Sequence, residues 1–164
     1  MAGSLIQVDT YTVSSSDATI PLNGIDSDNV YMLACYGLVP DSTNPSVYIR
    51  VNKSSSAQTD SEYDYAYRGL SSVGFAVRDD EDDTKAWFID NINTYSGNAI
   101  AYLYNFNASQ YSFGTVEAVA NVSNQEAGYQ GGFVHSVASA SNGVTLYLST
   151  GSFTSGTATL YKVI

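Results

Sequence analysis

Apolar and polar residues alternate one for one along most of this 164-residue chain, and the runs are broken by Gly, Ser and Asn. Such period-two patterning, with no long stretch of helical period, restricts the chain to half-buried strands. The pattern is plainest near the C-terminal end. Val144, Leu146 and Leu148 share one face and Thr145, Tyr147 and Ser149 the other. A second run sets Ala158, Leu160 and Lys162 against Thr157, Thr159 and Tyr161, with Gly151-Ser152 between the two. Together they read as a closing β-hairpin.

Comparable runs cover Leu5 to Val13, Ala18 to Leu22, Asn29 to Val39, Ser46 to Asn52, Gly74 to Arg78, Lys85 to Ile92, Ala99 to Phe106, Thr115 to Val122 and Gly132 to Ser139. Asn23-Gly24, Ser96-Gly97-Asn98, Gly131-Gly132 and Asn142-Gly143 supply turn residues that tolerate positive φ. Short strands at this spacing predict a single all-β domain over residues 1–164, an antiparallel β-sandwich of jelly-roll type with about 8–11 strands. One segment departs from the pattern. Thr59 to Gly69 has Asp and Ser as N-cap candidates, acids in its first turn and Gly at its end, which suits one short helix. Tyr63, Tyr65 and Tyr67 would fit the same face of a strand equally well.

Only 13% of residues are charged, yet 16 acids against six bases give a net charge of −10. That field repels nucleic-acid phosphates and anionic membrane surfaces, and Arg50, Lys53, Arg68, Arg78, Lys85 and Lys162 form no basic stripe. The single cysteine, Cys35, lies in an apolar run and reads as a small buried hydrophobe without a disulfide partner. The opening residues lack a secretory pattern and no run of 18 apolar residues occurs, so neither export nor membrane insertion is expected.

No catalytic motif is present and no cofactor is expected. Asp79, Glu81 and Asp83 have the alternate spacing of a calcium loop, but Gly is missing at its sixth position and strand-like sequence follows, so the default for Asp79 to Asp83 is a solvated loop. His135 is the only histidine, sits in a strand-like run and has no Gly-x-Ser-x-Gly elbow to accompany it. Tyrosine is abundant, at 14 residues. Tyr48, Tyr102, Tyr104, Tyr147 and Tyr161 fall on the polar register of their strands, which marks them as interface candidates. The apolar neighbours of Trp87 favour a core position.

Three blocks, Met1-Ala-Gly-Ser-Leu-Ile-Gln-Val-Asp9, Ser61-Glu-Tyr-Asp-Tyr-Ala-Tyr-Arg-Gly69 and Ser155-Gly-Thr-Ala-Thr-Leu-Tyr-Lys162, together resemble small virion proteins of tailed bacteriophages, particularly marine and cyanobacterial podovirus-like ones. Lys162 stands where the usual continuation of such endings is Gly. The resemblance implies a non-enzymatic sandwich made in the host cytoplasm and displayed on the virion surface. It would decorate the capsid as a symmetric homo-oligomer, a trimer foremost, with capsid or tail proteins of the same virion as partners. The alternative it implies is a tail-appendage module that holds a host surface polysaccharide between exposed tyrosines and Trp87.

Overall fold

The alternation resolves, in a computed structural model that describes residues 3–71, 74–93, 95–122 and 125–164, into thirteen strands, with no helix among the described residues. In chain order these are β1 (Leu5–Thr12), β2 (Thr19–Asn23), β3 (Tyr31–Pro40), β4 (Val47–Lys53), β5 (Ser56–Ala57), β6 (Tyr63–Ser71), β7 (Gly74–Asp83), β8 (Ala86–Ile89), β9 (Gly97–Tyr104), β10 (Ser112–Val122), β11 (Gln125–His135), β12 (Gly143–Leu148) and β13 (Phe153–Val163).

They form two antiparallel sheets. The larger runs β1-β13-β3-β9-β10-β11-β6-β7, and the smaller runs β2-β12-β4-β5 with β8 also paired to β4. Within this order lies an eight-stranded jelly roll: β1, β13, β3 and β9 on one side, and β2, β12, β4 and β8 on the other. Two insertions, β6 to β7 and β10 to β11, extend the first side, while the two-residue β5 adds only to β4 of the second. Four extra strands, β10, β11, β6 and β7, therefore widen one sheet and leave its partner narrow.

Two consequences correct the sequence reading. β12 and β13 are not a hairpin, because β12 pairs with β2 and β4 while β13 pairs with β1 and β3. Gly151, at φ 78°, turns the chain across the sandwich between them. Alternation gave each strand its buried face but said nothing about which sheet owned it. The segment read as a short helix is strand β6. Tyr63, Tyr65 and Tyr67 all point inward and are buried, and a helix would have splayed residues at spacing two around its axis.

The sandwich core is filled from both layers. Tyr31, Leu33, Leu103 and Leu160 from the large sheet meet Ile20, Leu22, Ile49, Val51, Val144 and Leu146 from the small one, all without exposure. Lys162, on the core register, lies at the end of the sandwich and holds Asp26 Oδ1 at 3.1 Å. Beyond β9 the inner face is covered by β8 and by aromatics of its own. The Phe133 ring lies over Gly114, where an added Cβ would come within 2.2 Å of it. Gly131 sits where β11 and β6 approach so closely that a Cβ would lie 2.3 Å from the Ala66 carbonyl. Gly131-Gly132 is therefore not a turn but the middle of β11, where glycine serves close approach.

Candidate functional site

A strand that buries one register must present the other, and the wide sheet presents eight such registers side by side. Cross-strand pairing gives the outward residues directly. Tyr161 lies beside Met32, Met32 beside Tyr102, and Tyr102 beside Thr115. In the next row Thr159, Ala34, Ile100 and Glu117 are neighbours. Tyr36, Ile100, Tyr102, Phe113 and Val119 are all exposed, Tyr36 by 64%. Among the outward positions of β13, β3, β9 and β10, Glu117 is the one charged residue, in a chain carrying 16 acids. Apolar surface this continuous makes the face a candidate interaction surface.

The relief of the face is also defined. A shallow depression of about 530 Å³ is floored by Ala34, Ile100 and Ala118 and flanked by Tyr36 and Val119. A wider trough of about 780 Å³ runs over Gly132 and Ala66, with Phe113 and Val134 on one side and Asp64, Asp79 and Glu81 on its rim.

Three of the five tyrosines singled out from the sequence, Tyr102, Tyr104 and Tyr161, belong to this face. Tyr48 and Tyr147 do not. They lie on the outside of the small sheet, where Tyr48 meets Trp87 edge-on at 5.3 Å and Tyr147 at 5.5 Å. Half of the chain's cations cap this group: Arg50 over Tyr147 at 4.5 Å, Lys85 over Tyr48 at 5.0 Å and Arg78 over Trp87 at 5.3 Å. Each cation is also tied down, Arg50 Nε donating to the Thr84 carbonyl, Lys85 paired with Asp83 and Arg78 with Asp90. The cluster is a clasp holding β7 and the 84–85 turn against the small sheet. Trp87 is half-buried against the core rather than within it.

The acidic run is strand for all of its length, as the end of β7. Asp79, Glu81 and Asp83 are not drawn together, and no group of three potential metal ligands occurs among the described residues. Asp83 turns to Lys85, whose Nζ lies 2.8 Å from both of its oxygens, and accepts the Thr84 N–H. Desolvation would raise the Asp83 carboxyl, but these bonds outweigh it and hold the group below its ordinary value. The acids at the outer edge guard β7 against pairing with another strand.

His135 is 2% exposed and packs against the Tyr63 ring at 4.7 Å. Neither ring nitrogen nor the Oγ of Ser112 or Ser141 has a hydrogen-bond partner among the described residues. Burial pushes the imidazole below its ordinary pKa, Lys53 adds to the effect and Asp60 opposes it. The unfolded chain therefore takes up the proton first, and stability declines as pH falls below about 6.5 until the native group titrates as well. Thermal melts at pH 7.5 and 5.5 should show this loss in the native protein and a smaller one in His135→Gln; equal losses would remove His135 as its source. Cys35 is buried beneath the same sheet, and burial pushes its thiol up.

Sequence reasoning passed over Tyr36, Ile100, Phe113 and Val119. Their signal was parity, since each alternates with buried neighbours in its strand. Fold and face together define a jelly-roll sandwich with one broadened, charge-poor sheet surface. No protein-family model matches the chain, and comparison with curated proteins returns no match.

Proposed function

We propose that this chain is a non-enzymatic structural protein of a phage virion, decorating and cementing the capsid, and that the outer face of its large sheet is an assembly surface. The observation that carries the reading is the apolar, nearly uncharged outer face of β13, β3, β9 and β10 in a chain of net charge −10. The chain's carboxylates lie mainly in its loops and in the β6–β7 hairpin, and their near-absence from one broad apolar face favours contact with protein there. The jelly roll, a fold shared by viral capsid and lectin domains, agrees with this reading, as does the phage-like character of the three sequence blocks. The action would be thermodynamic. A protein that binds only the assembled shell stabilises it by mass action.

The polysaccharide alternative draws less support. A sugar-stacking platform needs open aromatic faces, and the Tyr48, Trp87 and Tyr147 group is capped by the chain's own cations. Mass photometry of undecorated capsids mixed with the purified protein tests the reading. Saturable binding at a fixed copy number is expected, and shells whose mass does not change would overturn it.

A further inference from the structure

We propose that the outer face of the large sheet packs against the same face of a second copy of this chain, about a twofold axis that runs parallel to the strands between β9 and β10. The inference rests on the assembly reading above and names the partner of that same surface.

Charge selects the partner. Two copies of a chain at −10 repel wherever carboxylates face carboxylates. The six strands that this axis brings together, β13, β3, β9, β10, β11 and β6, turn outward only Glu117 and Asp64 as acids among their described side chains, beside the cation Arg68, while Asp79 and Glu81 of β7 stay at the rim. Edge pairing is discouraged at both ends of the sheet. β1 carries a bulge between Gln7 and Asp9, and Asp9 caps its edge by accepting the Thr10 and Asn23 N–H groups. β7 carries its run of acids. Bulges and edge charges are the usual means of blocking strand addition, and the broad face has no such protection.

Relief selects the axis. That twofold exchanges β9 with β10, β3 with β11, β13 with β6 and β1 with β7 across the interface, following the sheet order. It keeps each cross-strand row opposite itself, reversed. In the row Tyr161, Met32, Tyr102, Thr115, Gly132, Ala66, Met32 then stands over Gly132 of the second copy and Tyr161 over its Ala66. Two rows along, Tyr36 stands over Gly128, where a Cβ would meet nothing closer than 4.0 Å and the surface is open. Large side chains on one half of the face meet glycine and alanine on the other half, twice over by symmetry. A twofold running across the strands would instead set the acids of β7 upon themselves.

Area allows it. Eight strands spaced ~4.8 Å apart and ~7 residues long at ~3.3 Å each span roughly 890 Å², against the ~800 Å² per partner of a standard stable interface. The arrangement has an apolar centre, with threonines of β1 and β13 and the polar β6–β7 hairpin at its rim, which is ordinary interface anatomy.

The same axis places Ile100 over Glu117 of the second copy, and this supplies a test by sign of charge. Sedimentation velocity of the native chain should give a species of twice the 17.5 kDa chain mass. Ile100→Glu, which sets acid upon acid at two symmetric points, should leave monomer, while Ile100→Lys should keep the dimer. Both side chains would be solvated in the monomer, and a native circular-dichroism spectrum with a cooperative melt that no longer depends on concentration confirms that the dissociated variant is folded. A native monomer, a trimer, or a dimer indifferent to both substitutions would overturn the proposal. Shell binding by the native protein separates the two readings. A dimer that ignores capsids sinks the virion function and leaves the interface standing; a monomer that binds them does the reverse.

Discussion

Truncating Tyr63 to alanine is expected to lower stability by about 3–5 kcal/mol, the range for removing a fully buried aromatic ring. The side chain is unexposed and works at both ends. Its ring packs on His135 at 4.7 Å, and its hydroxyl accepts the Val51 N–H at 3.0 Å while donating to the Gln58 carbonyl at 3.1 Å. It thus reaches from the inserted strand β6 across to β4 of the jelly roll. For a chain of this length the loss corresponds to a fall in Tm of roughly 6–20 °C. Tyr63→Phe keeps the ring but leaves the Val51 N–H without its partner, and should cost about 1–3 kcal/mol. Chemical denaturation of the three proteins checks the order. A change under 1 kcal/mol in Tyr63→Ala would mean that the inserted strands are not bound into the cooperative fold.

Gly131→Ala should be nearly as damaging, at about 3 kcal/mol, the upper end of the usual cost of overpacking. The added methyl would lie 2.3 Å from the Ala66 carbonyl oxygen and 2.7 Å from Tyr67 Cα. Both are backbone atoms, so relief requires parting β11 from β6. The contrast with Gly128 is diagnostic. There a methyl meets nothing nearer than 4.0 Å within the chain, and in the monomeric Ile100→Glu background Gly128→Ala should leave the melting temperature unchanged or slightly raised, because alanine costs less chain entropy than glycine. Equal effects at the two positions would contradict the close packing of β11 on β6.

These two residues also show what the sequence could and could not convey. Tyr63, Tyr65 and Tyr67 alternate as any half-buried strand does, yet acids in the first turn and a closing Gly imitate a helix. Only the extended sheet, with β11 on one side and β7 on the other, decides for strand. Gly131-Gly132 has the composition of a turn, and its role in a close strand approach depends on a partner more than 60 residues earlier. The jelly roll itself was legible because each core strand carries its own alternation, as in Val144, Leu146 and Leu148. Sheet membership was not, since β12 and β13 are local neighbours in sequence that belong to opposite layers. Likewise parity placed Tyr102, Tyr104 and Tyr161 outside, but could not separate their open face from the clasped one that holds Tyr48 and Tyr147.

The inserted strands give the account its unity. They widen one sheet beyond the reach of the other, and the widening brings Gly128, Gly132 and Ala66 into line with Tyr36, Met32 and Tyr161 on one surface. An eight-stranded sheet of this breadth has enough area to hold a partner, where the four strands of the jelly roll alone would not.

Cryo-electron microscopy of capsids saturated with the protein tests the central claim most directly, because it shows which surface each copy turns toward protein. The account predicts ordered density for the sandwich on the shell, with the outer face of β13, β3, β9 and β10 covered by another chain. Copies bound with that face open to solvent, or shells that carry no density for the protein, would contradict it.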